Sequence, residues 1–298
     1  MNRVLIAQPG NEDMCKLLAP LIDADISVLE TRQFPDGETY VRLDPSIAGK
    51  NVVFLCTLDR PDEKFLRLVF CCAAARDLEA ASIGLMAPYL AYMRQDKPFN
   101  PGESVTARHF AKTLSPWIDW LVTVDPHLHR IHHLTDVYAA RAAVAHAAPA
   151  VAGWISANVT DPVLIGPDEE SGQWVSDIAG RAGAPFIALR KERLGDRDVK
   201  VTIPDLGKWS GRTPVIVDDI ISTGQSMVET ITGIRNEFAA KPVCIGVHAL
   251  FAGNAHADLA AAGAGRIVTC NTVGHQTNAI DISATLATKA NELLASLD

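Results

Sequence analysis

The sequence has no basic excess: 27 Lys and Arg stand against 35 Asp and Glu, a formal net charge of -8. A protein that coats nucleic acid neutralises many phosphates with cations, so this balance argues against that class. It leaves room for a small phosphorylated ligand, which needs only a few local cations and backbone donors. Long apolar runs are missing too. The stretch Val137 to Ile155 is broken by Arg141, His146, Pro149 and Gly153, whereas crossing a bilayer takes about 20 uninterrupted apolar residues. The early run Val4-Leu5-Ile6-Ala7 stops at Gln8-Pro9-Gly10, too short for the core of a secretion signal. Cys15, Cys56, Cys71, Cys72, Cys244 and Cys270 form no C-x-x-C pair and no zinc spacing. Cys56, Cys244 and Cys270 lie in apolar runs and read as buried thiols. The expectation is a reduced, cytoplasmic protein with no membrane or nucleic-acid partner. The usual nucleotide loops are absent as well: there is no G-x-x-x-x-G-K-[ST], no protein-kinase set and no G-x-G-x-x-G after a strand. Gly263-Ala-Gly265 lacks the third glycine and precedes a strand.

What the chain does have is rhythm. Its 298 residues are 48% apolar and 21% charged, a globular balance with length for about two domains of about 150 residues. Short β-branched runs at Arg3-Ala7, Ile26-Leu29, Asn51-Cys56, Ile83-Ala87 and Trp120-Val124 read as strands. A second series follows at Val163-Ile165, Phe186-Leu189, Pro214-Val217, Val243-Ala249 and Arg266-Cys270. Helical patterns separate them, at Glu12-Ile22, Asp62-Glu79, Ser104-Leu114, Trp174-Arg181, Ser226-Phe238 and Ala255-Ala262. Strands alternating with helices predict parallel sheets covered on both faces. Two series of similar length predict two α/β domains, residues 1–145 and 146–282, with the boundary in the Ala-rich stretch Ala139 to Gly153. The last helix, about Ser283 to Leu297, fits against either domain, and residues 283–298 are grouped with the first.

The most informative segment is Pro214-Val-Ile-Val-Asp-Asp-Ile-Ile-Ser-Thr-Gly-Gln-Ser226. It predicts a buried strand ending in Asp218 and Asp219, a short loop with Ser222, Thr223 and Gly224, and a helix opening at Gln225 and Ser226. In an open α/β sheet, ligands bind beyond the carboxyl ends of strands. Free N–H groups at the helix start favour an anion, and the hydroxyls add donors. The acids repel that anion and suit sugar hydroxyls or a magnesium ion. A sugar phosphate satisfies both halves of the loop; a strand end with solvated acids and a Ser/Thr cap is the plainer alternative.

Phe34-Pro-Asp-Gly-Glu38 sets an aromatic face and two carboxylates around Gly37. Phe34 can stack a base, and Asp36 and Glu38 can accept from an exocyclic amine. Alone, the segment reads as a turn between strands. The run Pro88-Tyr-Leu-Ala-Tyr-Met-Arg-Gln-Asp-Lys97, then Phe99-Asn-Pro-Gly-Glu103, leaves another strand end; Arg94 can bridge anionic oxygens and Gln95 can hydrogen-bond without charge. Asp96 and Lys97 could pair with each other.

Taken in order, these segments resemble ribose-phosphate pyrophosphokinases, the PRPP synthetases, in particular archaeal-type members. The 214–226 segment is similar to the phosphoribosyl-pyrophosphate motif that this family shares with type I phosphoribosyltransferases, with Gln225 where a glycine is often found. The resemblance implies two tandem type I phosphoribosyltransferase-like domains. It implies ATP binding by Phe34, Asp36, Gly37, Glu38, Arg94 and Gln95, and ribose 5-phosphate binding by Asp218, Asp219 and Ser222 through Ser226. In Asp125-Pro-His-Leu-His129 and Gly166-Pro-Asp-Glu-Glu170, it assigns His127 and Asp168 to magnesium; Gly166 replaces the family's usual Ser. In Arg190-Lys-Glu-Arg193 it makes Lys191 and Arg193 the catalytic cations. It further implies Mg2+ with ATP as co-substrate, and a homo-oligomer whose adenine-binding turn reaches a neighbouring subunit's site. His129 and His133 have the i, i+4 spacing of a helix face, but no carboxylate at metalloprotease spacing accompanies them. Two other functions share these motifs: a phosphoribosyltransferase that consumes PRPP, and a catalytically silent regulatory relative that keeps the fold.

Overall fold

The β-branched runs become parallel strands because helices cover both of their faces. The computed structural model describes residues 2–167, 172–193, 199–202 and 206–297, of which 173, 190–193 and 199–202 are described by their backbone. Two units partition the chain: residues 1–146 with 283–298, and residues 147–282.

The first unit runs β1 (Arg3–Ala7), α1 (Glu12–Leu21), β2 (Asp25–Ser27), β3 (Glu30–Gln33), β4 (Thr39–Arg42), β5 (Asn51–Leu55), α2 (Pro61–Asp77), β6 (Ser82–Ala87), α3 (Thr106–Leu114), β7 (Trp120–Val124) and β8 (Arg141–Ala145). Its six-stranded sheet has the order β2-β1-β5-β6-β7-β8, with every pairing parallel. All residues of β5, β6 and β7 are buried. Gly84 on β6 faces Trp120 on β7. A Cβ at position 84 would sit 2.0 Å from the indole, so the missing side chain is what lets the largest fully buried residue lie flat on the sheet.

The second unit runs α4 (Ala148–Asn158), β9 (Pro162–Gly166), α5 (Gly172–Ala182), β10 (Phe186–Ala188), β11 (Arg190–Arg193), β12 (Val199–Thr202), β13 (Thr213–Ile221), α6 (Gln225–Ile234), β14 (Val243–Ala249), α7 (Ala255–Ala262), β15 (Arg266–Cys270) and β16 (Asn278–Ile280). Its sheet order, β10-β9-β13-β14-β15-β16, repeats that of the first unit strand for strand. Each unit also inserts an antiparallel two-stranded ribbon between its second and third sheet strands, β3–β4 in one and β11–β12 in the other. The core of this unit gathers Val163, Ile165, Ile216, Ile231 and Leu259 from both strands and helices. A final helix, α8 (Ser283–Leu294), belongs to the first unit. Asn291 on it accepts from Arg3 Nη1 at 3.1 Å and donates to Leu21 O at 2.9 Å.

The α/β fold class expected from the alternating pattern is therefore the one observed. The Ala-rich stretch Ala139 to Gly153 also carries β8 and the start of α4, where small residues serve as packing surface. Two local readings change. The strand at Pro214 runs on to Ile221, because Ile220 and Ile221 still pair with His248 and Ala249 of β14. His129 and His133 share no helix: residues 125–133 are loop, and His133 starts a short 3-10 turn, its N–H donating to Asp136 Oδ2 at 3.0 Å. All six cysteines are buried, and none forms a disulfide. Burial pushes the thiols of Cys71 and Cys56 up to about 11 and about 12, which leaves them un-ionised and unreactive at neutral pH. No helix among the described residues is long and apolar enough to cross a membrane.

Candidate functional site

In each unit the strand order reverses between the first and third strands of the sheet. Loops leaving the two strands there diverge and open a crevice at their carboxyl ends. The two crevices differ.

In the second unit this point lies between β9 and β13. Asp218 and Asp219 are half-buried near the end of β13, and Asp218 Oδ1 accepts from the Asp219 N–H at 3.0 Å. The chain then turns through Ser222, Thr223 and Gly224 into α6. Gly224 has φ +72, a left-handed conformation that side chains other than glycine adopt at a cost. Behind it lie Ala255 and Leu259 of α7, whose carbons stand 3.5 Å from where a Cβ would be. The loop is clamped from the far side: the N–H groups of Phe251 and Ala252 donate to the carbonyls of Ile221 and Ser222, both at 2.9 Å. Phe251 is held in turn by the rings of His275 and His256, at 4.4 Å and 5.5 Å.

No side chain caps α6, so the first-turn N–H groups remain open donors. Among the described residues, the hydroxyls of Ser222, Thr223 and Ser226 make no hydrogen bond to protein. The result is a rigid cradle of open donors, the arrangement that binds a phosphate. Gln225 does not crowd it. Its Nε2 donates to Glu229 Oε1 one turn along the helix at 3.0 Å, which turns the side chain back along α6 and leaves its backbone at the cradle.

The corresponding crevice in the first unit, between β1 and β5, is closed by its own side chains. Gln8 is fully buried, accepts from Arg67 Nε at 2.9 Å and donates to Cys71 Sγ at 3.3 Å. Asn11 Oδ1 takes the Thr57 N–H at 2.9 Å. The candidate nucleotide residues instead surround the ends of β6 and β7 and the tip of the β3–β4 ribbon.

That ribbon tip is the Phe34–Glu38 turn. Phe34 N–H donates to Glu38 O at 2.8 Å, and Gly37 supplies φ +90 to close the turn. The Asp36 carboxylate accepts from the Glu38 N–H at 3.3 Å. Phe34 is 39% exposed, an aromatic face turned outward.

After β6, Tyr89, Leu90, Ala91 and Met93 are buried and anchor the next loop, leaving Arg94 exposed. Gln95 ties the loop to α3: its Oε1 accepts from Thr106 Oγ1 at 3.2 Å and its carbonyl accepts from the Ala107 N–H at 3.3 Å. Asp96 pairs with Arg130, not with its neighbour Lys97. Its side chain is 4% exposed and accepts from the Arg130 N–H at 3.0 Å and from Nη1 at 3.1 Å. Burial pushes this carboxyl up, but the two Arg130 donors and the guanidinium charge outweigh it and hold the group below its ordinary value. The pair pins the 88–97 loop to the segment that carries His127. In that segment Asp125, at φ +30, has its Oδ1 2.8 Å from His146 Nδ1, and His127 Nδ1 lies 3.3 Å from His129 Nε2. No spacing rule links residues 96 and 130, so this contact was invisible in the sequence. Among the described residues no group of three or more His, Cys, Asp and Glu is placed to hold a metal.

Asp96→Ala should lower stability by about 1–3 kcal/mol at neutral pH, because it strands a half-buried N–H. The folded carboxyl titrates below its ordinary range, held there by the Arg130 donors and charge. Its contribution is therefore complete above the ordinary Asp range and is lost as pH falls through the folded value. Urea midpoints should show a wild-type advantage at pH 7 that narrows in strong acid; an advantage independent of pH would assign the effect to something other than the carboxylate.

Of the remaining sequence-predicted residues, Lys191 and Arg193 lie on β11, in register with Val201 and Val199 of β12. Asp168 lies outside the described residues.

Residues 4–116 match the N-terminal domain of ribose phosphate pyrophosphokinase, and residues 133–284 match the phosphoribosyl transferase domain. The ribose-phosphate pyrophosphokinase of Methanopyrus kandleri is 32% identical over 292 residues, covering 97% of this chain and 99% of that one. This chain belongs to the ribose-phosphate pyrophosphokinase family. A second such relative, from Sulfolobus acidocaldarius, is 32% identical over 279 residues, covering 91% and 94% of the two chains. The solved phosphoribosylpyrophosphate synthetase from Mycobacterium smegmatis superposes with a TM-score of 0.86 over 99% of this chain and 100% of that chain, at 23% identity, which establishes the shared fold. The pyrophosphokinase family match thus takes in both crevices described above, the closed one and the open one.

Proposed function

We propose that this chain is a ribose-phosphate diphosphokinase, converting ATP and ribose 5-phosphate to AMP and PRPP. The single observation that carries the reading is the open donor cradle at Ser222–Ser226 beside two carboxylates, in a chain that also bears a complete ATP-side set at 34–38 and 94–95. A phosphoribosyltransferase needs the first; only a diphosphokinase needs both.

The anomeric hydroxyl of the sugar attacks the β-phosphorus of ATP. A bond forms from that oxygen to the β-phosphorus, the bond to the α-phosphate oxygen breaks, AMP leaves, and the hydroxyl proton passes to solvent or phosphate. Such transfer asks the protein mainly for in-line positioning and charge neutralisation. The cradle amides and hydroxyls would hold the 5-phosphate, while Asp218 and Asp219 would accept from the ribose hydroxyls. Phe34 would stack the base, Asp36 and Glu38 would meet its donors, and Arg94 and Gln95 would grip the triphosphate. Lys191 and Arg193 would neutralise charge that grows in the transition state.

Magnesium fits this donor set. It is a hard cation that keeps water and phosphate oxygens around it and takes one or two carboxylates from protein. Asp168 and His127 would hold the ion, which when bound would neutralise charge on the triphosphate. The exposed ribbon tip supports a homo-oligomer in which that tip meets another copy.

The test is purified protein with magnesium, ATP and ribose 5-phosphate, reading AMP. AMP should appear in proportion to added ribose 5-phosphate. Nucleotide formation from PRPP and a free base, with no AMP from ATP, would make it a phosphoribosyltransferase. Thermal shifts with ATP and ribose 5-phosphate, but no turnover, would make it a silent relative.

A further inference from the structure

The β3–β4 ribbon places Arg32 directly across from Tyr40, and Phe34 lies two residues beyond Arg32 on the same face. The Arg32 guanidinium sits 4.5 Å from the centroid of the Phe34 ring and 4.6 Å from that of Tyr40. The two rings meet edge to face, 6.2 Å apart at 88°. Among the described residues Arg32 makes no ion pair, although Asp36 and Glu38 belong to the same turn. At the root of the ribbon Arg42 does the opposite and pairs with Glu30 at 3.0 Å. The guanidinium at position 32 is therefore committed to aromatic faces.

We infer that Arg32 and Tyr40 form a clamp that fixes Phe34 as a stacking platform, making Arg32 a positioning residue for the nucleotide base. This rests on the reading of residues 34–38 as the base-binding turn. An exposed Phe at the tip of a two-stranded ribbon would otherwise sample several rotamers, and ordering it on binding costs affinity. A cation over one face holds the ring in a single orientation and leaves the other face open. It also draws π density away, which favours stacking of an electron-rich purine on the open side. Lysine is a poorer substitute, because its compact, strongly hydrated ammonium lacks the planar, weakly hydrated surface that a guanidinium presents to aromatic rings.

The experiment compares Arg32→Ala, Arg32→Lys and Glu30→Gln with the wild-type full chain. Calorimetric titration with Mg-ATP is run beside steady-state kinetics. Arg32→Ala should raise Kd and KM for ATP by about 3- to 10-fold, with kcat at saturating ATP and KM for ribose 5-phosphate unchanged. Arg32→Lys should recover part of that loss. Glu30→Gln, which breaks only the root ion pair, should leave all constants at wild-type values. Wild-type ATP affinity in Arg32→Ala, or an equal loss in Glu30→Gln, overturns the clamp. If the wild type binds ATP but makes no AMP, the diphosphokinase reading fails while the clamp is still decided by the titrations. If the wild type does not bind ATP, both fail.

Discussion

Lys191→Ala should lower kcat for AMP formation by on the order of 10²–10⁴-fold, with KM values for both substrates changed little. The loss takes this form because charge on the transferring diphosphoryl group and the leaving AMP is greatest in the transition state. A cation that meets it only there contributes to kcat and hardly to ground-state binding. The backbone of Lys191 is paired in register with Val201 on a two-stranded ribbon separate from the main sheet. Truncating a side chain there leaves the sheet core intact, so thermal stability should stay at the wild-type value. Steady-state kinetics with AMP as readout checks the first point and thermal unfolding the second. Wild-type turnover in Lys191→Ala removes this residue from the chemistry; a large fall in melting temperature would turn a kinetic loss into a folding loss. Arg193, two residues along the same strand, should show the same kcat pattern.

Gly224→Val should do the reverse: KM for ribose 5-phosphate rises by on the order of 10²-fold, while ATP binding is untouched. The residue adopts φ +72, which costs a β-branched side chain about 1–3 kcal/mol. The neighbours give no room to relax inward, since Ala255 and Leu259 already stand 3.5 Å from the Cβ position. The chain must then shift the loop outward, moving the open N–H groups at the start of α6 off the phosphate they would hold. Gly224→Ala, with no γ carbons, should show a smaller loss of the same kind. Titrating each variant with ribose 5-phosphate separates this from a general loss of fold: a variant that unfolds loses ATP binding as well. An unchanged ribose 5-phosphate affinity in Gly224→Val would remove the cradle from substrate binding.

The legible parts of this protein were those encoded by neighbours in the chain. Val243–Ala249 and Arg266–Cys270 read as strands and Ala255–Ala262 as a helix with the bounds they have in the structure, because periodicity and β-branching act over a few residues. The 34–38 and 222–226 turns were legible for the same reason: Gly37 and Gly224 sit where the backbone needs a positive φ. The bounds of β3 and β4 were not, since Glu30–Gln33 is polar and mostly exposed and Thr39–Arg42 is only half-buried. A strand stabilised by pairing across a hairpin carries little apolar alternation. The Arg32–Phe34 relation did have a signal, the two-residue spacing that puts both on one face of a strand, but it needs the strand to be recognised first.

By itself the order of residues determined two α/β units, their helices and strands, and which short turns carry donors, acids and aromatic faces. Those properties follow from local propensity and burial pattern. Only the tertiary structure decided that the crevice between β1 and β5 is plugged by Gln8 and Arg67 while its counterpart at β9 and β13 has an open cradle. It alone decided that Asp96 answers to Arg130 and that Gln225 folds back to Glu229. The reason is that a hydrogen bond between side chains far apart in sequence depends on where two backbones come to rest, and that is set by packing over the whole sheet.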